Sequence, residues 1–405
     1  MINVAVLGYG TVGSGVVEVF RLNQNKINQS VGDTVNLKYV LDMKEFPEDP
    51  VQNILVHDFE SIIRDETVDI VVEVLGGIEP AYTFVKRSLE AGKNVVTSNK
   101  ALVAAHGTEL LEIAKKKNRN FFFEASVGGG IPIIRPLNTS LTADEIEEIT
   151  GILNGTTNYM LTKMFCEGAD YNEVLKEAQD NGFAERNPKA DVEGDDACRK
   201  IAILSSVVSG HPVDFEDIYT EGITKITSED MEYAKEMKYV IKLLASMKRD
   251  GKKIDAIVAP FLLPQKHPLA SVNGVFNAIF IHGNALGDAM FYGSGAGKMP
   301  TASAVSADIV DAAKHRNRNL FGYWSGEKLE LKDRLDAKRI FFVRVKGKIE
   351  DKKEEIHHAF GEVRFVQTES LTDEFGFITP GMTEGEFEKI SAGFRDMIHM
   401  LRMAE

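Results

Sequence analysis

The stretch INVAVLGYGTVGSGVVEVF, residues 2–20, decides the fold of this 405-residue chain. Its first six residues form a continuous apolar run, which is typical of a strand buried on both faces. Gly8, Gly10 and Gly13 then follow with the spacing G-x-G-x-x-G and lead into a helix pattern. The first glycine permits a tight turn, the second lets backbone approach a pyrophosphate, and the third allows close helix–strand packing. The stretch predicts a dinucleotide site; a glycine turn that only packs is the alternative.

The start of the predicted helix and the end of the next strand extend this site. Unpaired N–H groups and the positive end of the helix dipole suit phosphate, so Thr11 and Val12 join the predicted cofactor contacts. The second strand, LKYVLDM (37–43), carries Asp42 near its end. A carboxylate there accepts from a ribose 2′-hydroxyl and repels a 2′-phosphate. A solvated turn aspartate is the alternative for Asp42.

Strand and helix patterns alternate from residue 2 to about residue 130. DIVVEVLGG (69–77), NVVTS (94–98) and NFFFEASVGGG (120–130) read as further strands with helices between them. This alternation predicts an α/β fold with a Rossmann-type, doubly wound parallel sheet. Lys100 directly follows NVVTS, and ligands bind at the carboxyl edge of such sheets. Lys100 is therefore either a surface charge or part of a site.

The pattern changes after this region, and we predict three domains. Residues 1–132, completed by 298–325, form the dinucleotide-binding domain, and residues 133–297 form an α+β substrate and dimerisation domain. Residues 339–405 read in the order βαββαβ, which predicts a small ferredoxin-like domain. In that segment Thr383 and Glu386 form a capping box for its second helix.

Composition and charge limit the partners. The chain has 47 basic and 61 acidic side chains, a formal net charge of −14, which argues against a general affinity for nucleic acid or anionic membranes. It shows neither a basic leader nor 18 uninterrupted apolar residues, so we expect no signal peptide and no membrane span. Cys166 and Cys198 make no disulfide framework and suit the cytoplasm.

The densest polar stretch is NGFAERNPKADVEGDDACRK, residues 181–200. A helix that starts near Asp195 places Asp196 and Lys200 at positions i and i+4 on one face. An acidic loop followed by an ordinary helical ion pair is the alternative. The apolar run after Lys200 indicates that the pair lies near the core, and three residues constrain the shape of the loop: Gly182, Pro188 and Gly194.

Glu124 stands in an otherwise apolar predicted strand, FFFEASVGGGIP (121–132). A buried carboxylate requires a partner. That partner is either a positive side chain or a cation, which nearby backbone carbonyls would help to hold.

Together these stretches resemble the homoserine dehydrogenase family, in order along nearly the whole chain. The glycine loop and the lysine turn after NVVTS match the family, and the acidic loop and an N-G-T-T-N-Y segment are specific to it. The matching stretches are GYGTVGSGVV (8–17), VVTSNKALVA (95–104), EASVGGGIPII (124–134), GILNGTTNYML (151–161), GFAERNPKADVEGDDACRK (182–200) and GSGAGKMPTASAVSADI (293–309).

The resemblance implies a role for each matched residue. Glu185 and Asp196 would hold the substrate's ammonium group and hydroxyl end, and Lys200 would exchange a proton with the reacting oxygen. Lys100 would reach nicotinamide and substrate from the cofactor side. Further matched positions are Asp191 and Gly182 at the substrate, Gly297 at the cofactor, and Glu124 with the carbonyls of Val127, Gly129 and Ile131 at a monovalent cation, typically sodium.

The reaction implied is NAD(P)-linked interconversion of L-aspartate 4-semialdehyde and L-homoserine, in threonine and methionine biosynthesis. The C-terminal segment resembles the ACT domain, which suggests a threonine effector. Its turn KGKIEDKK (346–353) lacks the expected Pro-Gly, so we predict a weak response or none, and catalytic residues untouched by its removal. We expect a monofunctional enzyme, with no kinase domain before the first strand, that forms a homodimer or higher homo-oligomer.

One departure from the family concerns the cofactor. Many relatives have an arginine before the aspartate of the second strand, and this chain has Leu41. We therefore expect NAD to serve at least as well as NADP. Two other classes remain open: a different oxidoreductase of amino-acid semialdehydes, and a catalytically silent NAD-binding regulator.

Overall fold

The computed structural model describes residues 1–251, 253–320 and 324–404. Two compact units make up the chain. The first comprises residues 1–145, 202–215 and 291–329, and the second comprises residues 146–201, 216–290 and 330–405. Residues 321–323, in the segment predicted to complete the first domain, lie outside the described residues, as does residue 405. The division into three domains stays a prediction.

The first unit is built on a six-stranded parallel sheet with the strand order β3-β2-β1-β4-β5-β6. This order is that of a doubly wound dinucleotide-binding sheet, and it confirms the predicted α/β class. The chain reverses direction across the sheet between β1 and β4, where such folds bind their ligands. The elements up to this unit's first break are β1 (Ile2–Leu7), α1 (Thr11–Val31), β2 (Val35–Leu41), β3 (Leu55–Val56), α2 (Glu60–Ile63), β4 (Val68–Glu73), α3 (Ala81–Glu90), β5 (Asn94–Thr97), α4 (Lys100–Lys116), β6 (Phe121–Phe122) and α5 (Ile134–Thr139).

The apolar runs of the strands form the core of this unit. Val4 and Val6 of β1 and Val72 of β4 are fully buried, and they pack with the inward face of α1, including Val16 and Phe20. Burial on both sides of the sheet explains why β1 and β4 read as continuous apolar runs rather than alternating ones.

The predicted strand over residues 120–130 is wrong in extent. Hydrogen bonds to β5 end at Phe122, and a single 3₁₀ turn, Glu124–Ser126, follows. Glycines 128–130 then form a close crossing: the amide of Gly130 donates to the carbonyl of Ser294, and a Cβ on Gly129 would lie 2.2 Å from the carbonyl oxygen of Gly295. This tight crossing of two backbone segments is incompatible with an extended strand.

The second unit carries a larger mixed sheet with the order β12-β11-β7-β9-β10-β17-β13-β15-β14. Two short strands join it at the side, β8 on β10 and β16 on β13. The elements from residue 146 to residue 314 are β7 (Ile146–Ile152), α6 (Gly155–Glu167), α7 (Tyr171–Asp180), α8 (Lys189–Val192), α9 (Asp195–Ser209), β8 (Tyr219–Thr220), α10 (Ser228–Met237), β9 (Tyr239–Asp250), β10 (Lys253–Pro264), β11 (Phe276–Gly283), β12 (Gly287–Ser294) and α11 (Lys298–Lys314). Of these, α11, residues 202–209 of α9 and residues 291–294 of β12 lie in the first unit.

The C-terminal segment has the predicted order βαββαβ, with one additional two-residue strand. Its elements are β13 (Lys338–Lys346), α12 (Ile349–Phe360), β14 (Arg364–Val366), β15 (Glu374–Ile378), β16 (Met382–Thr383), α13 (Glu384–Ser391) and β17 (Met397–Met403). The predicted capping box of Thr383 and Glu386 is present at α13. Phe341 and Val343 of β13 are buried against Phe387 of α13, as the alternation of β13 predicts.

Candidate active site

The glycine loop has the conformation that its sequence predicts. Gly8 has φ +101°, a region that favours glycine. A Cβ on Gly13 would lie 1.9 Å from the Gly8 carbonyl oxygen, so the helix can approach the loop this closely because Gly13 has no side chain. A Cβ on Gly10 would meet nothing within 4 Å, which leaves room for a ligand. Among the described residues, no side chain caps α1, whose first residues are Thr11 and Val12. Its amide groups suit a phosphate.

Asp42 lies directly after β2 and is tied to the glycine loop. Its Oδ2 accepts from the amide of Tyr9 at 2.8 Å, and its Oδ1 accepts from the amide of Lys44 at 3.0 Å. The Tyr9 hydroxyl donates to Asp49, and burial together with this carboxylate raises the pKa of Tyr9 to about 12. The carboxylate of Asp42 is therefore tied to the glycine loop at the end of β2, and its contact with a ribose stays a prediction.

Lys100 is the first residue of α4, at the carboxyl end of β5. Asn99 caps this helix by accepting from the amide of Leu102 at 3.1 Å. The amide of Asn99 donates to the hydroxyl of Thr97, which donates to Glu73 at 2.6 Å. Glu73 is fully buried at the end of β4, and burial raises the pKa of its carboxyl group. This chain of hydrogen bonds fixes the turn that carries Lys100.

Gly297 precedes α11 with φ +113°, and the helix packs on α1. A Cβ on Gly15 would lie 2.9 Å from the Cβ of Ala302, so these two helices approach closely. The first unit thus places the predicted cofactor residue Gly297 at the start of a helix that contacts the helix of the glycine loop.

The hydrogen bonds of the buried Glu124 carboxylate come from backbone amides. Its Oε1 accepts from the amides of Ile133 at 2.5 Å and Ile134 at 2.7 Å, and its Oε2 accepts from the amide of Arg135 at 2.7 Å. Glu124 therefore satisfies the amino end of α5, where unpaired amides need acceptors. The neighbouring carboxyl of Asp308 accepts from the amide of Glu124, and burial raises the pKa of Asp308 to about 8.

The cation site predicted at Glu124 requires backbone carbonyl oxygens as further ligands. The carbonyl oxygens of Val127, Gly129 and Ile131 accept no hydrogen bond from the described residues. Such oxygens are the ligands that hard cations prefer. Within the same residues there is no group of three or more His, Cys, Asp or Glu side chains that would hold a metal. The carbonyl oxygens are thus of the chemical type that a cation needs, and the cation site stays a prediction.

A buried lysine–carboxylate cluster lies in the second unit. The Nζ of Lys200 donates to Asp196 Oδ2 at 2.7 Å and to the carbonyl oxygen of Leu153 at 2.7 Å. The Nδ2 of Asn154 donates to the same Asp196 oxygen at 3.0 Å and to Asp191 Oδ1 at 2.7 Å. Asp196 and Lys200 are 4% and 8% exposed, so the ion pair is buried, as the apolar run after Lys200 indicates.

The ammonium group of Lys200 has a donor to spare. A lysine ammonium has three N–H donors, and no described residue beyond Leu153 and Asp196 accepts from this one. The cluster can therefore present an N–H to the oxygen of a bound substrate while Asp196 compensates the buried charge.

The predicted substrate residues are only partly brought together. Asn154 joins Asp191 to Asp196, and Asp196 binds Lys200, whereas Glu185 and Gly182 lie exposed on the preceding loop. Among the described residues, the Glu185 side chain makes no hydrogen bond or ion pair with the other three; its backbone carbonyl accepts from Gln179.

Asn154 was missed as a site residue by sequence reasoning. Its Oδ1 caps α6 by accepting from the amide of Thr157 at 2.9 Å, so its Nδ2 is fixed in direction. The helix-start pattern N-G-T-T predicts such a cap. That the other end of the amide binds Asp191 and Asp196 depends on the folded path of the chain.

None of the described helices combines the length and apolar character needed to cross a membrane.

Comparison with known proteins agrees with this geometry. The family model for homoserine dehydrogenase matches residues 132–310, and that for the homoserine dehydrogenase NAD binding domain matches residues 8–124. The homoserine dehydrogenase of Bacillus subtilis is 47% identical over 324 residues, 79% of this chain and 75% of that protein. The enzyme of Corynebacterium glutamicum is 46% identical over 322 residues, 78% of this chain and 72% of that protein.

Solved structures show the same likeness. A homoserine dehydrogenase from Thiobacillus denitrificans superposes with a TM-score of 0.92 at 34% identity and covers 100% of this chain and 98% of its own. A hyperthermophilic archaeal homoserine dehydrogenase in complex with NADPH gives a TM-score of 0.67 at 30% identity, over 79% of this chain and 99% of its own.

Because the NAD-binding match falls on the sheet with the glycine loop, the fold and site define an NAD(P)-dependent oxidoreductase. The two alternative classes considered from sequence are not favoured, since both family models and the relatives agree with each other. The chain belongs to the homoserine dehydrogenase family.

Proposed function

We propose that this chain interconverts L-aspartate 4-semialdehyde and L-homoserine with NAD(P), as a step of threonine and methionine biosynthesis. The observation that carries the proposal is the buried Lys200–Asp196 pair, in which the ammonium group retains a donor. Reduction of an aldehyde requires a hydride at carbon and a proton at oxygen. The nicotinamide supplies the hydride when it is bound.

Lys200 acts at the reacting oxygen. Its N–H stabilises the developing alkoxide and delivers the proton in the reducing direction, and the neutral amine accepts it in the oxidising direction. Asp196 holds the ammonium at a fixed place through the 2.7 Å contact. Lys100 assists from the nicotinamide side, where the capped start of α4 orients it.

The amino-acid part of the substrate is recognised by carboxylates. Asp196 and Glu185 bind its ammonium group and hydroxyl end, with Asp191 and Gly182 on the same loop. Asn154 supports this assignment, because one amide holds both Asp191 and Asp196. Glu185 lies exposed on the same loop, where a bound substrate can reach it.

The cofactor lies on the glycine loop, with its pyrophosphate at the amides of Thr11 and Val12 and further contacts from Gly8, Gly10, Gly13 and Gly297. Asp42 accepts from the adenosine ribose, since each of its oxygens has one amide donor and a carboxylate oxygen can accept a second hydrogen bond. NAD therefore serves at least as well as NADP, because a 2′-phosphate would face this carboxylate with Leu41 in place of an arginine.

A monovalent cation, sodium in the family resemblance, is held by Glu124 and the carbonyl oxygens of Val127, Gly129 and Ile131. Its support is the set of carbonyls that accept no hydrogen bond in the described residues. There it would fix the glycine crossing at Gly129.

Residues 339–405 form an ACT-like domain with a weak threonine response, and the enzyme works in the cytoplasm as a homodimer or higher homo-oligomer.

The deciding experiment is turnover with L-homoserine and either NAD or NADP, followed by the absorbance of the reduced nicotinamide. We expect activity with both, and a kcat/KM for NAD no lower than that for NADP. Cofactor binding without turnover would indicate the silent regulator, and turnover restricted to other semialdehydes would indicate the other oxidoreductase class. A kcat/KM for NADP more than about tenfold higher, a difference of roughly 1.4 kcal/mol, would refute the role of Asp42.

A further inference from the structure

Strand β10 joins the C-terminal segment to the part of the second unit that carries Lys200. One edge of β10 pairs with β9, and the other edge makes two short parallel pairings with different strands. Residues 257–258 pair with β8, and residues 261–262 pair with β17, the last strand. The end of β8 and the start of this β17 pairing therefore lie close together along one edge.

Arg402 of β17 bridges this junction. It is 2% exposed, and its Nε and Nη2 donate to the carboxylate of Glu384 at 2.7 and 2.8 Å. Its Nη1 donates to Glu221 Oε2 at 2.7 Å, directly after β8. Glu384 also accepts from Arg334 and Arg339, so it stays paired when one arginine is lost. Glu221 is thus held by one N–H group of a buried guanidinium whose other groups are fixed by Glu384.

The segment that bears Glu221 lies directly against the loop between α8 and α9. The amide of Ile223 donates to the carbonyl oxygen of Val192 at 2.8 Å. A Cβ on Gly222 would lie 2.1 Å from that same oxygen, so the two backbones are in close contact. A Cβ on Gly194 would lie 3.0 Å from Thr220, on the other side of the loop.

This loop sets the spacing of the substrate carboxylates. Val192 ends the helix that bears Asp191, and Gly194 precedes the helix that bears Asp196 and Lys200. A shift of the loop would move Asp191 relative to Asp196. A displacement of about 1 Å at a reacting group can reduce a rate by about 10²-fold.

We infer that Arg402 and Glu221 are a positioning pair through which the last strand of the chain holds the loop of Asp191 and Asp196 in its productive position. The inference rests on the proposed function, because it concerns the carboxylates assigned to substrate. These contacts also argue against the expectation that the C-terminal segment can be removed with the catalytic residues untouched, since removal would take Arg402 away and expose one edge of β10.

The test compares Glu221→Ala with Glu388→Ala in the full-length chain. Glu388 is a matched control because it accepts from Arg334 in the same ion network, yet it has no contact with Arg402. For Glu221→Ala we expect kcat/KM for homoserine to fall by about 10–100-fold, mainly through KM, with KM for the cofactor unchanged. Glu388→Ala should keep wild-type kinetics. Amide hydrogen exchange over residues 191–196 should be faster in Glu221→Ala alone.

If Glu221→Ala does not fold, Glu221→Gln decides the matter, since it keeps the volume and one acceptor for Arg402; a smaller change in the same direction is expected. Unchanged homoserine kinetics and unchanged exchange in the folded variant would overturn the inference. Equal losses for substrate and cofactor would do the same, because they indicate general destabilisation. Exchange requires no turnover, so an inactive wild type would refute the proposed function while the exchange result still decides the positioning pair.

Discussion

Replacement of Lys200 by methionine tests the proton-transfer role most directly. Methionine keeps most of the aliphatic volume among the buried residues around α9 and removes the charged donor. The Nζ of Lys200 makes 2.7 Å contacts to Asp196 and to the carbonyl of Leu153. Without this ammonium group, the proposed hydrogen bond and proton transfer at the reacting oxygen are lost.

Two effects of similar size are expected. General acid–base catalysis contributes about 10²–10⁴-fold, which corresponds to roughly 2.7–5.4 kcal/mol of transition-state stabilisation. Separately, Asp196 is 4% exposed, and the loss of a buried ionic partner costs about 3–5 kcal/mol of stability. A lower rate could therefore reflect unfolding, so the two effects must be measured apart.

The double variant Lys200→Met/Asp196→Asn separates them. Without either charge, the cluster should regain most of its thermal stability while kcat stays low. Lys163→Met is the matched control, because Lys163 forms an i,i+4 pair with Glu167 at 3.0 Å on a more exposed surface of α6. It should retain wild-type kcat and nearly wild-type stability.

The assay is kcat at saturating homoserine and cofactor, normalised to the folded fraction from a thermal melt. Near-normal kcat in Lys200→Met would refute the assignment of Lys200 as proton donor. Recovery of activity in the double variant would equally refute it, since the rate loss would then have come from the uncompensated charge of Asp196.

Three further predictions concern other parts of the chain. Gly13→Ala places a Cβ 1.9 Å from the Gly8 carbonyl oxygen, so the Kd for NAD, measured by calorimetry, should rise at least about tenfold. Gly10→Ala, whose Cβ meets nothing within 4 Å, should leave the melting temperature of the ligand-free protein unchanged. An unchanged Kd for Gly13→Ala would contradict the loop geometry. Burial lowers the pKa of Lys242 to about 8, while a lysine in the unfolded chain keeps its proton up to pH ~10.4. The free energy of unfolding of the wild type, measured in urea titrations, should therefore rise by about 2 kcal/mol from pH ~8 to pH ~10 relative to that of Lys242→Met. A difference between the two proteins that does not change with pH would exclude this shift. The full-length chain should keep most of its activity in low-millimolar threonine, because the turn at residues 346–353 lacks Pro-Gly; strong inhibition would show that the C-terminal domain is a threonine sensor.

Local sequence determined the dinucleotide fold and half of the lysine cluster. The glycines of the loop predict its conformation, because the positive φ of Gly8 and the close contact at Gly13 allow few other residues. The i,i+4 spacing of Asp196 and Lys200 likewise fixes their contact once α9 forms. Such features involve neighbours on one element, so periodicity and spacing are sufficient to predict them.

Tertiary structure decided the partners that come from distant segments. The sequence shows Asn154 as a helix cap, yet its contacts to Asp191 and Asp196 depend on how the start of α6 meets α8 and α9. Glu124 was expected to need a cation or a positive side chain, and the fold also gives it the amides at the start of α5, which the sequence did not indicate.

The parallel pairing of β17 with β10 is the clearest case. A strand's own pattern shows which face is buried, but the choice of partner strand is made by the chain's path and by ion pairs such as Arg402–Glu221, whose members share no local spacing.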